Sequence, residues 1–589
     1  MEITADMNLP EKDISYKETI ENFEKAFRKN GFKIEVVSWL NPIDSIWSVH
    51  VRDSECHNLY TNGKGISMEG ALSSAYGEFF ERLSTGYFFA DYCFAGIDDE
   101  FPKWKFFPDE KWFEVEGDAS IPEGVLNKKL INYYNYLEQL DANHLMDSNT
   151  VGTKGSICTL PFTSLNDNKV INFPVNILDN LYVSNGMAAG NSLNEARVQA
   201  LSEIIERYVK NRIIAEKITL PDIPAAVLSK YKNIQYGKKI LESAGFSILF
   251  KDASLEGKYP VVNITLIDRK NSGVYAAFGA HPRFHVALER TLTELLQGRD
   301  LDSLDIFPSP VFDEALVADP GNLEEHFIDS SGLLHWKYFL SSSDFSYKGW
   351  SFEGGRNEEL AYLENIIKSE GYEIYMAQYN WMGVDVCRLI IPGMSEIYPV
   401  HELVYNNKNR YRSVRDILLN IENAESDECE VLYEELCDSG YSGDHKVGEL
   451  IGIPGESSIS VSELLLFLSL GIGRFDDALI WCENAIEVCK LNHQDSTLYR
   501  CLNFLIESET DGILSKKDIN YISKLFYSES VVVTCHNLMS SRVISLSMIS
   551  EKMDSLKNGD EFRHISEAFS KCRKIMHNSY SIVDIQGEK

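Results

Sequence analysis

The sequence predicts an α/β (α+β) protein of three pseudo-repeated strand–loop–helix units, followed by an all-helical C-terminal region. Three observations carry that expectation. A polar helical motif occurs three times. Each copy follows a strand-like run and a loop of small residues. Strand patterns then become scarce from about Arg412 onward, where helical periodicity takes over.

The first copy lies in residues 71–84, ALSSAYGEFFERLS, and reads Ser74-x-x-x-Glu78-x-x-Glu81-Arg82. It returns as Gln199-x-x-x-Glu203-x-x-Glu206-Arg207, and in altered form as Arg290-x-x-x-Glu294-x-x-Gln297. An alanine stands three residues before each copy (Ala71, Ala196, Ala287). At about 100° per residue, Ser74, Glu78 and Glu81 share one helix face, and Leu72, Ala75, Tyr76, Phe79 and Leu83 share the other. A glutamate stripe on one amphipathic helix is ordinarily a solvated face. Here the stripe recurs in register and sets like charges three residues apart, which an isolated helix disfavours. Convergence of three such helices would need a counter-charge, and carboxylate clusters suit Mg²⁺. Arg290, at the position of Ser74 and Gln199, suits a phosphate oxygen better than a metal.

Taken in order, residues 12–30 show helical periodicity at Ile14, Ile20, Phe23 and Phe27, with Gly31 as a stop signal. Lys12 and Thr19 there are within reach of a bound anion. Residues 32–51 alternate as strands, broken at Asn41-Pro42. Tyr60-Thr61-Asn62-Gly63-Lys64-Gly65 leads into the first polar helix as a small-residue loop; it lacks the Walker arrangement. Residues 91–149 are aromatic and acidic without clear periodicity, and read as an insertion. Residues 170–177 and 181–183 read as strands ahead of a second small-residue loop, Ser184 to Asn191. Asn191, Glu195 and Gln199 extend the second polar stripe by a turn. Residues 248–250, 259–267 and 273–278 are strand candidates, and Gly279-Ala280-His281-Pro282 turns into the third helix. His281 beside a proline reads as a turn residue. Residues 372–378 and 384–391 add two strands before the Pro392-Gly393 turn. In the tail, residues 531–534 are the main strand-like exception. Leu470-Gly471-Ile472-Gly473-Arg474-Phe475-Asp476-Asp477-Ala478, with Ala485, resembles one tetratricopeptide (TPR) unit or an ordinary helical hairpin. The expected division is 1–60 as the N-terminal segment of the first domain, 61–405 as its main body, and 412–589 as a helical, TPR-like domain for oligomerisation or partner docking.

The chain has 589 residues, 44% hydrophobic and 25% charged, so two or three domains with ample core are expected. Its net charge of −33 argues against non-specific binding to DNA or an anionic membrane. A nucleotide would need metal ions as intermediaries. The 11 cysteines form no C-x-x-C pair, and read as reduced thiols of a cytoplasmic protein. The acidic start has no signal-peptide pattern, and the longest apolar run, 464–472, is about half a membrane span.

The stretches SSAYGEFFERLS, SNGMAAGNSLNEARVQALSEIIERYVKNR and FGAHPRFHVALERTLTELLQGR together resemble the YcaO family, most of all its stand-alone bacterial members linked to methylthiolation of a small-subunit ribosomal protein. The resemblance implies an ATP-binding fold outside the Walker class, with ATP and Mg²⁺ as cofactors. It implies metal ligands at Glu78, Glu81, Glu203, Glu206 and Glu294. It implies nucleotide contacts from Lys12, Thr19, Ser74, Asn191, Glu195, Arg207 and Arg290, and from the backbone of Ala188, which replaces a serine. Glu78, Glu203 and Arg290 are the expected catalytic set. Peptide-modifying members of the family use ATP to activate an amide oxygen, which then departs as phosphate. This chain ends SYSIVDIQGEK, where azoline-forming members carry a proline-rich tail; an accessory role in ribosomal-protein modification fits better than cyclodehydration. The implied partners are ATP, a ribosomal protein or a radical-type methylthiotransferase, and a second copy of the chain through the C-terminal domain. The alternative is a non-catalytic adaptor that recruits a modifying enzyme through that domain. A glutamate–cysteine-type ligase would also use carboxylate-bound metals, but the threefold register does not suggest it.

Overall fold

A computed structural model describes residues 9, 11–44, 46–94, 106–117, 119–147, 156–301, 307–405, 407, 412–438, 443–455 and 458–587, without the side chains of 412, 413 and 581–587. Parts of the expected insertion (95–105, 118, 148 and 149) and the last two residues of the tail lie outside that set.

Helix α1 (Tyr16–Lys29) opens the chain and buries Phe23 and Phe27. It starts later than the periodicity predicts, because Ser15 caps it by accepting from the Glu18 backbone while Glu18 reaches back to Ser15. Lys12 therefore lies ahead of the helix. Strands β1 (Ile34–Ile43), β2 (Ile46–Asp53) and β3 (Tyr60–Gly65) form a meander, with an irregularity in β1 where Asn41-Pro42 sits. The expected small-residue loop before the first polar helix is thus an edge strand. It feeds α2 (Met68–Ser84), which buries Ala75, Tyr76, Phe79 and Leu83.

A six-stranded sheet follows, in the order β4 (Lys111–Glu114), β5 (Ser156–Ser164), β11 (Tyr375–Tyr379), β12 (Asp385–Ile390) and β7 (Met187–Gly190), with β6 (Val170–Pro174) also on β5. The expected insertion therefore contributes one strand to the sheet. Of residues 170–177 and 181–183, expected as strands, Val175–Ile177 is a short helix, and Leu181 and Tyr182 close a second helical stretch, Leu178–Tyr182, with Val183 just beyond it. Leu178, Leu181 and Tyr182 are fully buried there, and a short buried apolar run has no periodicity to separate helix from strand. From β7 the chain enters α3 (Leu193–Ala215). The third sheet runs β10 (Val274–Ala280), β9 (Val261–Asp268), β8 (Phe246–Asp252), and β10 delivers α4 (Phe284–Leu295). Helix α5 (Arg356–Ser369) lies against α3.

All pairings between the named strands are antiparallel. β3, β7 and β10 are edge strands, and each feeds a polar helix packed against it. Small residues make that close packing feasible. A Cβ at Gly63 would overlap the Ala71 carbonyl oxygen, one at Gly190 would lie 2.6 Å from the Ala196 nitrogen, and one at Gly279 would lie 2.8 Å from the Ala287 oxygen. The three alanines that precede the motif copies are all fully buried at these contacts.

Beyond residue 412 the named elements are helices, ending in the long α6 (Asp560–Gly587). Residues 531–534 fall inside the helix Glu529–Ser540, not in a strand. Ser528 caps that helix, and Val532, Cys535 and Leu538 give it a buried face at helical spacing. Gly473, at φ +78°, closes Val461–Ile472 and lets Phe475–Leu491 fold back, with Ala478 and Ala485 fully buried. The helical region packs on the first part of the molecule. Phe94 stacks on Phe569 at 4.0 Å, and the Cys93 amide donates to the Gly452 carbonyl at 2.9 Å. All 11 cysteines are free thiols, ten of them buried. Among the described residues no helix is long and apolar enough to cross a membrane.

Candidate functional site

The three edge strands aim their helices at one cavity of about 770 Å³. Ser74, Glu78 and Glu81 line it from α2, and Glu195, Glu203, Glu206 and Arg207 from α3. Arg290 and Glu294 line it from α4, Thr19 from α1, Asn191 from the turn before α3, and Lys12 from the strap of chain ahead of α1. Ala188 is the exception. Its side chain is buried in the core around α3, while its neighbour Ala189 lines the cavity. Successive strand residues face opposite sides, so within β7 the cavity position falls on Ala189.

The acidic stripes meet basic partners. Arg82 pairs with Glu78 and Arg207 with Glu203, each at 2.5 Å and one helical turn apart. Lys64, from β3, pairs with Glu294 on α4. Arg290 donates to Gln199, and Glu206 accepts the Ala280 amide at 3.2 Å. On the strap, Lys12 Nζ lies 3.1 Å from Glu195, which also accepts from the Asp13 amide and from Asn191. Among the described residues, no three His, Cys, Asp or Glu side chains stand close enough together to form a ready-made metal cluster.

The electrostatics nonetheless leave the carboxylates short of positive charge. Burial raises the pKa of Glu78, Glu81 and Glu206 above the usual carboxylate range, and for Glu81 the nearby Glu203 and Glu78 raise it further. Lys64 is pushed down to about 8 by burial, against the pull of Glu206 and Glu78. Five glutamates facing one polar cavity, three with pKa values raised by burial, fit a hard divalent cation, whose charge would favour their ionised forms.

Several lining residues escape motif reading. Lys64 sits inside the stretch before the first helix, where glycines drew attention. Lys210 lies one turn beyond Glu206 on the same stripe; it donates to Ser330 at 2.8 Å, and burial lowers it to about 8. Glu11, Tyr16, Glu289 and Arg356 belong to no repeat. His281 also lines the cavity. Its Nδ1 accepts the Arg283 amide at 3.0 Å, and burial, with arginines nearby, keeps it neutral.

An α/β protein whose polar cavity is walled by carboxylates and arginines from three helices is the class that this architecture defines. The chain belongs to the YcaO family. The family model described as YcaO cyclodehydratase, ATP- and Mg²⁺-binding, matches residues 62–395, and that of the YcaO cyclodehydratase C-terminal domain matches residues 412–577. The chain is 44% identical to the ribosomal protein S12 methylthiotransferase accessory factor YcaO of Escherichia coli, over 85% of this chain and 86% of that protein. It is 39% identical to an uncharacterized protein of Haemophilus influenzae, over 96% of this chain and 97% of the other. A solved structure, YcaO from Methanopyrus kandleri bound with AMPPCP and Mg²⁺, aligns at 15% identity with a TM-score of 0.41, covering 67% of this chain and 96% of that one.

Proposed function

We propose that the chain binds and hydrolyses ATP with Mg²⁺ in this cavity and serves as an accessory factor in the β-methylthiolation of a small-subunit ribosomal protein. The observation that carries the reading is convergence: stripe residues from α2, α3 and α4 and the strap ahead of α1 line one space. The likeness to the Escherichia coli accessory factor, along most of both chains, supports the biological assignment.

In this reading Glu78, Glu81, Glu203, Glu206 and Glu294 hold the metal. Lys12, Thr19, Ser74, Asn191, Glu195, Arg207 and Arg290 hold the nucleotide. Bound Mg²⁺ supplies neutralisation of phosphate charge. Arg290 presents a planar fork of N–H donors suited to phosphate oxygens, and Arg207 and Lys64 are cations at the same wall. These side chains are only partly exposed, so their charges interact more strongly than they would in open water. Activation of an amide oxygen is the extension of this chemistry that we assign to a substrate polypeptide. We further propose residues 61–405 as the catalytic body, completed by 1–60, with three pseudo-repeated strand–loop–helix units. Residues 412–589 form a TPR-like domain through which two copies pair in the cytoplasm.

The adaptor reading has one observation in its favour. Tyr521, Leu525 and Phe526 expose apolar side chains on one C-terminal helix, a surface suited to another protein. Purified protein with Mg²⁺ and ATP separates the two. Slow turnover is expected, falling about a hundredfold or more in Glu78→Gln and Glu203→Gln. Tight nucleotide binding without turnover would favour the adaptor, and wild-type turnover in both variants would refute the metal assignment.

A further inference from the structure

The strap at residues 11–13 is fastened on two sides. On one side Lys12 and the Asp13 amide bind the two oxygens of Glu195 at 3.1 and 3.0 Å, and Ser192 donates to Asp13. On the other side stands Arg356, the first residue of α5. Its Nε lies 3.0 Å from Asp13 Oδ1, its Nη2 donates to the Glu11 carbonyl at 2.6 Å, and its Nη1 lies 2.5 Å from Glu359 Oε2. Glu359 is completely buried. Its other oxygen takes Arg283 Nε at 2.5 Å, and Arg283 is the residue immediately ahead of α4. One buried carboxylate therefore fixes two guanidinium groups. One grips the strap that bears Lys12; the other stands at the head of the helix that bears Arg290 and Glu294.

We infer that Arg356 is a positioning residue for the nucleotide pocket, a clasp that holds the strap in register with α3 and α4; the inference rests on the nucleotide reading given above. Arginine suits the task because its fork reaches three acceptors in three directions at once, which a lysine ammonium on a flexible stem does not. Without the clasp, residues 11–13 regain backbone freedom that any ligand would have to remove again. The two ends of the clasp lie 343 residues apart in sequence, so no local pattern announces it.

Amide hydrogen exchange in nucleotide-free protein, together with Mg²⁺–ATP affinity, tests it on Arg356→Gln, Asp13→Asn and the double variant. Asp13→Asn leaves the buried Arg356–Glu359–Arg283 cluster intact, so it remains informative even if Arg356→Gln folds poorly. In either single variant, exchange across residues 11–15 is expected to quicken about tenfold and nucleotide affinity to weaken about tenfold. The loss in the double variant should fall well short of the product of the two single losses, since both changes act on the Asp13–Arg356 pair. Arg356→Lys should recover only part of the loss. Exchange at the wild-type rate in Asp13→Asn, losses that multiply in the double variant, or full function with lysine would each overturn the clasp. If wild-type protein binds no nucleotide, the functional reading fails, and the exchange measurement still decides whether Arg356 orders the strap.

Discussion

Glu289 precedes Arg290 and lines the same cavity without belonging to the motif. Burial first, and the Glu11 charge second, push its carboxyl up to about 7. Its folded value stands above the ordinary 4.5, so the contribution it makes to stability is present at low pH and is lost as pH rises through about 7. Glu289→Gln is therefore expected to leave stability unaltered near pH 4.5 and to raise it at about pH 8 by up to about 3 kcal/mol. Urea unfolding at the two pH values measures this, and equal stabilities at the higher pH would contradict it. At this scale the sequence is legible where side chains repeat. The glutamates and Arg290 stand out because three copies share one spacing. Glu289, Lys64 and Arg356 stand out only when distant segments are brought together, since a single charged residue in a helix or strand looks the same whether it faces water or a cavity.

The three strand–helix junctions depend on absent side chains. At Gly190 a methyl group would press on backbone atoms of Ser192 and Ala196, which cannot move without shifting the start of α3. Gly190→Ala is expected to cost about 1–3 kcal/mol, seen as a lower urea midpoint with an unchanged slope. A neutral outcome would mean that α3 sits less firmly on β7 than the contacts indicate. The sequence supports most of these elements, because the polar motif recurs at one spacing and the strands are rich in β-branched and aromatic residues. Beside the small-residue loops that turn out to be edge strands, it misleads where helix replaces strand. Leu181 and Tyr182 lie in an apolar run and turn out helical, and Val531-Val532-Val533-Thr534 has β-branched chemistry but sits on a helix capped by Ser528. Tertiary burial outweighs local propensity in both cases.

Across the whole molecule, one continuous apolar cluster runs from Phe23 on α1 to Met576 on α6. The two family-model regions therefore share a core, although the change in texture near residue 412 marks them as separate stretches of sequence. Phe569 stacks on Phe94 and also meets Phe89 at 5.3 Å. Phe569 is partly buried, so Phe569→Ala should destabilise the protein by about 1–3 kcal/mol. It should also split thermal unfolding into two steps where the wild type shows one, as calorimetry would record; a single transition in the variant would show that other contacts suffice to couple the regions.

Near that junction, Lys571 on α6 donates to the Gly31 carbonyl at 2.9 Å and lies over the Phe32 ring at 4.7 Å. Gly31 follows α1, and the strap precedes it. A protein that grips α6 and displaces it must therefore either snap this tether or drag α1 along, so docking at the far end of the chain carries leverage on the strap beside the cavity.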